Sequence, residues 1–203
     1  EKVFEEPDIS GKKVSIQGAG NIGSRLAEYL ADDGAEVYIT DVDENAIKMV
    51  QDKIDVKVVK PEEIYGLDVD IFAPCALGAI LNDDTIPKLK CKLVAGSANN
   101  QLKDVEKHSK MLKDRNIVYG VDFILSAGGV INNSQQYNEF GYNKTAAYKK
   151  VATIGDNMQK VIKIAEDKDI TTYEAAHIFA KSRLEMSNDL NKWYLKKERG
   201  IKV

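Results

Sequence analysis

Lys13-Val14-Ser15-Ile16-Gln17-Gly18-Ala19-Gly20-Asn21-Ile22-Gly23 is a short β-prone run leading into Gly-x-Gly-x-x-Gly, and Ser24 to Ala31 behind it is a good helix former. The glycine pattern alone is weak. Strand, glycines and helix in this order predict the opening of a dinucleotide-binding α/β unit. Each glycine then has a mechanical task. Gly18 permits the tight turn, Gly20 lets a pyrophosphate approach the backbone, and Gly23 lets the helix pack close to the strand. A helix starting after Gly20 offers free N–H groups and a partial positive charge to phosphates. The same unit requires an acid at the end of the next strand. Val37-Tyr38-Ile39-Thr40-Asp41 supplies one, 18 residues past Gly23, near the spacing of about 20 that the pattern needs. A carboxylate there accepts hydrogen bonds from an adenosine ribose and repels a 2′-phosphate. No arginine stands in Thr40-Asp41-Val42-Asp43 to offset that repulsion, so the expected cofactor is NAD. The competing reading is a glycine-rich turn without a ligand, against which strand, helix and Asp41 weigh together.

Working outward, apolar runs recur with helical stretches between them, the pattern of a parallel α/β sheet. The expected strands are Val14 to Gln17, Glu36 to Thr40, Val56 to Val59, Asp70 to Pro74, Lys92 to Gly96 and Ile117 to Tyr119. Helices are expected over Asn21 to Ala31, from an Asp43 or Asn45 cap to Asp52, over Asp84 to Leu89, and over Leu102 to Arg115. Gly34 is the expected C′ residue of the first helix, and Pro61 opens a further helical turn. Gly128-Gly129 then breaks the chain. From Lys144 the texture changes to two long helical patterns without strands. The first, over Thr145 to Asp167, puts Val151, Ile154, Met158, Val161, Ile162 and Ala165 on one stripe. The second opens on a Thr171–Glu174 capping box and runs to Lys197, with Ala175, Ile178, Phe179, Leu184 and Leu190 as its core face. A helix of about 26 residues is roughly 39 Å long. That exceeds the sheet layer, so its far end is expected to touch something else. The fold class is therefore α/β, a Rossmann-type, doubly wound, mostly parallel sheet with two long C-terminal helices. Its expected parts are a linker over 1–11, a dinucleotide-binding domain over 12–143 and the helices over 144–203.

Length and charge narrow the function classes. A chain of 203 residues can bury a substantial core. Charged residues make up 30% with a net charge of −3, and no basic block stands out, which argues against a nucleic-acid partner. No apolar run reaches the roughly 18 residues of a membrane span, and Glu1-Lys2-Val3-Phe4-Glu5-Glu6 is no signal peptide. Cys75 and Cys91 form neither a metal spacing nor a disulfide framework, and His108 and His177 are the only histidines. A reduced, cytoplasmic setting is expected. The chain starts without methionine, and its first ten residues read as a charged linker. An excised piece of a longer polypeptide is expected.

Ligands of doubly wound folds sit outside the carboxyl ends of the strands. Gly18, Ala19, Gly20, Asn21, Ile22 and Gly23, with Asp41 and Val42, make one half of the candidate cofactor site. The loops after the fourth and fifth strands make the other: Cys75, Ala76 and Leu77, then Ser97, Ala98, Asn99 and Asn100. These small polar loops suit close approach to a nicotinamide ribose, although Gly, Ser and Asn serve ordinary turns as well. Cys75 reads as a small buried residue, His177 as a structural or exposed one, and His108 as surface. Ser126-Ala127-Gly128-Gly129-Val130-Ile131-Asn132 allows the backbone to approach a ligand or a crossing helix, or to hinge.

Several of these runs carry a resemblance. Val14 to Gly23, Asp70-Ile71-Phe72-Ala73-Pro74-Cys75-Ala76-Leu77-Gly78, Gly96-Ser97-Ala98-Asn99-Asn100-Gln101-Leu102, Ala127 to Asn132, Gly141-Tyr142-Asn143 and Thr172-Tyr173-x-Ala175-Ala176 follow one another in order. In them the chain resembles the leucine dehydrogenase branch of the amino acid dehydrogenases, which include glutamate, phenylalanine and valine dehydrogenases. The resemblance implies NAD-dependent oxidative deamination of an L-amino acid with an apolar side chain to a 2-oxo acid. It implies a homo-oligomer, and an N-terminal substrate domain absent from this sequence. The family's catalytic lysine and aspartate belong to that domain. No Gly-Gly-x-Lys motif occurs here, so no residue carries over as catalytic and this chain alone is expected to be inactive. Where the family has Asn-Ala-Gly-Gly, holding the substrate's main-chain end, this chain has Ser126-Ala127-Gly128-Gly129, which makes Ser126 substrate-proximal. The segment from Asn133 to Phe140 is longer than in the leucine enzymes. By the same resemblance Met158 and Val161 line the side-chain pocket, with plain core packing as the alternative. A non-catalytic NAD-binding sensor is the alternative for the whole chain.

Overall fold

In a computed structural model of the chain, residues 3–4, 8–138 and 141–198 are described, the side chains of 186–198 excepted. Strands β1 (Lys13–Gln17), β2 (Glu36–Thr40), β3 (Lys57–Val58), β4 (Ile71–Pro74), β5 (Leu93–Val94) and β6 (Val118–Tyr119) form a sheet of order β3-β2-β1-β4-β5-β6. Every described pairing is parallel. The chain thus starts at the centre, winds out to β3, and returns to the other side of β1. Between β1 and β4 the connections leave in opposite directions and open a crevice at the carboxyl ends. Register fixes what lies there. Gln17 pairs with Thr40 on one side and Pro74 on the other, so β1, β2 and β4 end level. Gly18, Asp41 and Cys75 therefore share one rim.

Alternation along the strands divides the core. Val14, Ile16, Val37, Ile39, Ile71 and Ala73 face α1 (Asn21–Asp32) and α2 (Glu44–Gln51), where Ala27, Ile47 and Val50 are buried against them. Phe72, Val94 and Tyr119 face the other way. They pack with Leu112 of α3 (Val105–Asp114), Val161, Ile162 and Ala165 of α6 (Lys144–Lys168), and Ala175 and Ala176 of α7 (Thr172–Glu198). Two short helices, α4 (Asp122–Leu125) and α5 (Gly128–Ser134), lie between β6 and α6. Side-chain caps set the helix starts. Asp43 accepts from Asn45 N, Asp104 from Lys107 N and Asn143 from Ala146 N. The Thr171–Glu174 box is complete: Thr171 Oγ1 accepts from Glu174 N at 3.1 Å, and Glu174 Oε2 from Thr171 N at 2.9 Å. Of the expected linker, Phe4 and Ile9 pack against the α1 side of the core, and Gly11 N donates to Gly34 O.

Several local expectations are corrected. Asp84 to Leu89 is only a 3₁₀ turn, Ile86–Lys88, because Pro87 has no N–H and Asn82 Oδ1 accepts from Asp84 N and Thr85 N. The Leu102 to Arg115 helix starts at Val105, since Leu102 bridges to Leu81 and Asp104 is the cap. β5 stops at Val94 because the chain presses onto Pro74: a Cβ on Gly96 would lie 2.1 Å from Pro74 O. Gly128 opens α5 instead of breaking the chain; a Cβ there would lie 4.0 Å from Val151 Cγ1 of α6, so it marks a helix crossing. His108 is buried, not on the surface. Lying one turn past Asp104, it folds back so that Nδ1 accepts from Asp104 N at 2.8 Å. On α7, Ile178 and Leu184 are 41% and 67% exposed, so the core face ends within two turns; Leu190 lies outside the described side chains. Residues 1–2, 5–7 and 139–140 of the segments read above, and 199–203, also lie outside the described residues.

Candidate functional site

The first wall of the crevice is backbone. Gly18 has φ +108° and donates its N–H to Thr40 O at 2.8 Å, which tucks the turn against the end of β2. A Cβ on Gly23 would lie 1.9 Å from Gly18 O, so α1 approaches the turn as only glycine allows. Gly20 is the opposite case: nothing lies within 4 Å of where its Cβ would point. It is the N-cap of α1, no side chain caps it, and no acid stands in the first turn. The helix N-terminus is therefore an electropositive end opening on free space. Asp41 closes this wall. Its Oδ2 accepts from Ala19 N at 2.6 Å and its Oδ1 from Asp43 N at 2.9 Å. A carboxylate has about four acceptor positions, so two remain for a ligand's hydroxyls. Asn21 is exposed at the same edge.

The second wall is made of two loops sewn together. Cys75 N donates to Gln17 O, Ala79 N to Asn100 O, Leu81 N to Gln101 O, and Lys103 N to Leu81 O. The fit is tight, for a Cβ on Gly78 would sit 2.7 Å from Asn99 O. Ala79 and Asn100 hold left-handed backbone at φ +59° and +52°. Ala98 is buried, Ser97 is half-buried, and Ala76, Asn99 and Asn100 are exposed. Cys75 is half-buried, more open than expected. Ser126, the C-cap of α4, donates its hydroxyl to Asn99 Oδ1 at 3.2 Å. A cavity of about 130 Å³ continues beneath Asn99 and Asn100, lined also by Tyr119, Asp122, Phe123 and Tyr173. Burial first, and then neighbouring Asp122, raise the Tyr119 pKa well above the usual phenol range, so it stays protonated. Ile22, Val42 and Leu77 are 59%, 90% and 76% exposed around the rim. Three large apolar side chains left uncovered beside a polar cleft suit flat apolar groups of a ligand.

With this geometry, residues 38–191 match the profile of the glutamate/leucine/phenylalanine/valine dehydrogenases. The chain belongs to the Glutamate/Leucine/Phenylalanine/Valine dehydrogenase family. A leucine dehydrogenase from Thermoactinomyces intermedius is 44% identical over 201 residues, covering 98% of this chain and 54% of that enzyme. An L-tryptophan dehydrogenase from Nostoc punctiforme is 42% identical over 188 residues, covering 92% of this chain and 52% of that enzyme. The crystal structure of L-tryptophan dehydrogenase from Nostoc punctiforme superposes with a TM-score of 0.86 at 40% identity, over 90% of this chain and 55% of that one. This dehydrogenase-family chain thus spans about half the length of the curated relatives it matches.

Met158 and Val161 are buried among core side chains at 7% and 0% exposure. His177 is exposed and meets the Phe123 ring edge-on and the Tyr173 ring at a tilt of 58°. Among the described residues no group of three or more His, Cys, Asp or Glu is placed to hold a metal, and no helix is long and apolar enough to cross a membrane. Sequence reasoning left two residues out of the site. Gln101, fully buried, donates Nε2 to Gly96 O at 3.1 Å and Ala98 O at 2.9 Å. Asp122, 8% exposed, accepts from Gln101 N at 3.3 Å and Phe123 N at 2.8 Å. The available signal was a Gln and an Asp standing beside apolar core positions, where a polar side chain needs partners.

Proposed function

We propose that this chain is the NAD-binding half of an NAD-dependent L-amino acid dehydrogenase whose substrate has an apolar side chain. The observation that carries the reading is the uncapped start of α1 behind Gly20, with the Asp41 carboxylate held at its edge. The residues fit the cofactor. Gly20 leaves the space that a pyrophosphate needs, and the N-terminus of α1 supplies N–H donors. Asp41 takes the adenosine ribose hydroxyls and disfavours a 2′-phosphate. Ile22 and Val42 flank the adenosine, and Leu77, Ser97 and Asn99 flank the nicotinamide half. NAD, when bound, supplies the hydride acceptor of the oxidation.

This chain's residues bind and orient; none is assigned a proton-transfer role. The proton-transfer groups, the substrate pocket and an oligomeric assembly belong on this reading to a further domain, in keeping with relatives about twice as long. A cytoplasmic location goes with that chemistry. The test uses the purified chain and the complete polypeptide. The chain should bind NAD in a calorimetric titration yet form no NADH from L-leucine, L-phenylalanine or L-tryptophan. The complete polypeptide should form it. Amino-acid-dependent NADH formation by the chain alone contradicts the division of labour. NAD binding by a complete polypeptide that oxidises no amino acid leaves a nucleotide-sensing module.

A further inference from the structure

Asn99 is held from both sides, by the backbone packed on Gly78 and by the Ser126 hydroxyl. Asn100 beside it is left-handed, which turns Gln101 inward and leaves Asn99 outward. The carbonyls of Asn99 and Asn100 lie 2.7 and 2.8 Å from where a Gly78 Cβ would be, so the loop has no room to slide towards β4. Three hydrogen bonds then close a ring. Gln101 N donates to Asp122 Oδ2 at 3.3 Å, Ser126 N donates to Asp122 O at 2.8 Å, and Ser126 Oγ donates to Asn99 Oδ1 at 3.2 Å. The ring is anchored inside by Gln101 and Asp122, both more than nine-tenths buried, and surfaces at Asn99 and Ser126. Because Asn99 is exposed and its Oδ1 accepts from Ser126, its NH2 group remains as a donor for a ligand.

We propose that Asp122, Gln101 and Ser126 are positioning residues that fix the Asn99 amide so that its NH2 donates to an oxygen of the nicotinamide–ribose half of the cofactor. This rests on the dinucleotide reading of the crevice and adds a division within it. The end at β1 and β2 binds ADP without help from the ring, and the ring acts on the other half alone. Ser126 acts through Asn99, so a conservative hydroxyl at 126 preserves the effect and a methyl group does not.

The test compares NADH with ADP, which lacks the nicotinamide and its ribose. Both are titrated into the wild-type chain, Ser126→Ala, Ser126→Thr and Asp122→Asn, with the emission spectrum of bound NADH recorded. Ser126→Ala should weaken NADH about three- to tenfold, the effect of one neutral hydrogen bond, and shift the bound emission, with ADP affinity within about a factor of two. Ser126→Thr should restore both. Asp122→Asn should weaken NADH further in the same direction; if it does not fold, the Ser126 pair decides. Unchanged NADH affinity and emission in Ser126→Ala overturn the proposal, as does a parallel loss of ADP and NADH. Failure of the wild-type chain to bind ADP at all overturns the dinucleotide reading itself, a different and distinguishable result.

Discussion

At the β1–β2 end of the crevice, shape comes from side chains that are missing; at the β4–β5 end it comes from side chains that reach across loops. Gly18, Gly20 and Gly23 leave the backbone bare, and Asp41 is the one side chain that closes the turn, through Ala19 N. Across the crevice, Gln101, Asp122 and Ser126 bind loop to loop over separations of up to 27 residues. The difference has an energetic consequence. A steric wall fails abruptly, because a Cβ cannot be half accommodated, whereas a hydrogen-bonded wall fails by degrees.

Gly23→Ala should give the largest effect. The new Cβ meets Gly18 O, a backbone atom that cannot swing aside, so α1 must lift from the turn. The expected cost is about 3 kcal/mol, roughly a 10 °C fall in Tm, with loss of nucleotide binding. Gly20→Ala is its control: with open space at the Cβ it should keep the wild-type Tm and lose only affinity. Equal Tm values for the two variants would break the contrast. At the other end, Gln101→Ala removes donors from Gly96 O and Ala98 O in a fully buried place. It should cost about 2 kcal/mol in urea unfolding while ADP still binds. Loss of ADP binding in a folded Gln101→Ala chain would join the two ends into one unit. The smallest effect concerns strain. Ala79 sits at φ +59° where the two loops meet, so Ala79→Gly should stabilise by up to about 1 kcal/mol, offset in part by the freer unfolded chain. A lower Tm would show that the methyl group packs rather than strains.

The same contrast explains what could be read without a structure. The Gly18 to Gly23 turn, Asp41 and the Thr171–Glu174 box are local: partners stand within a few residues or at a fixed spacing, and their geometry follows from residue type. The doubly wound parallel sheet was legible too, because alternating strands and helical stretches have few ways to wind, although the strand order itself comes from the structure. Gln101 and Asp122 escaped notice because their partnership is long-range and no period marks it. His108 looked solvated among lysines and glutamates, yet its ring is pulled in by Asp104 N. Ile178 and Leu184 kept the helical period of a core face, but α7 leaves the sheet before it reaches Leu184. Met158 and Val161 share a helix face, a spacing common to core and pocket; in this chain both are buried.

The measurement that bears most directly on the central claim is a parallel titration of NAD and NADP into the purified chain. With Asp41 at the rim and no arginine between Thr40 and Asp43, a 2′-phosphate would meet a carboxylate held in place by Ala19 N and Asp43 N. NAD should bind at least roughly tenfold more tightly than NADP, by like-charge repulsion alone. Equal binding of the two, or tighter binding of NADP, would contradict the account.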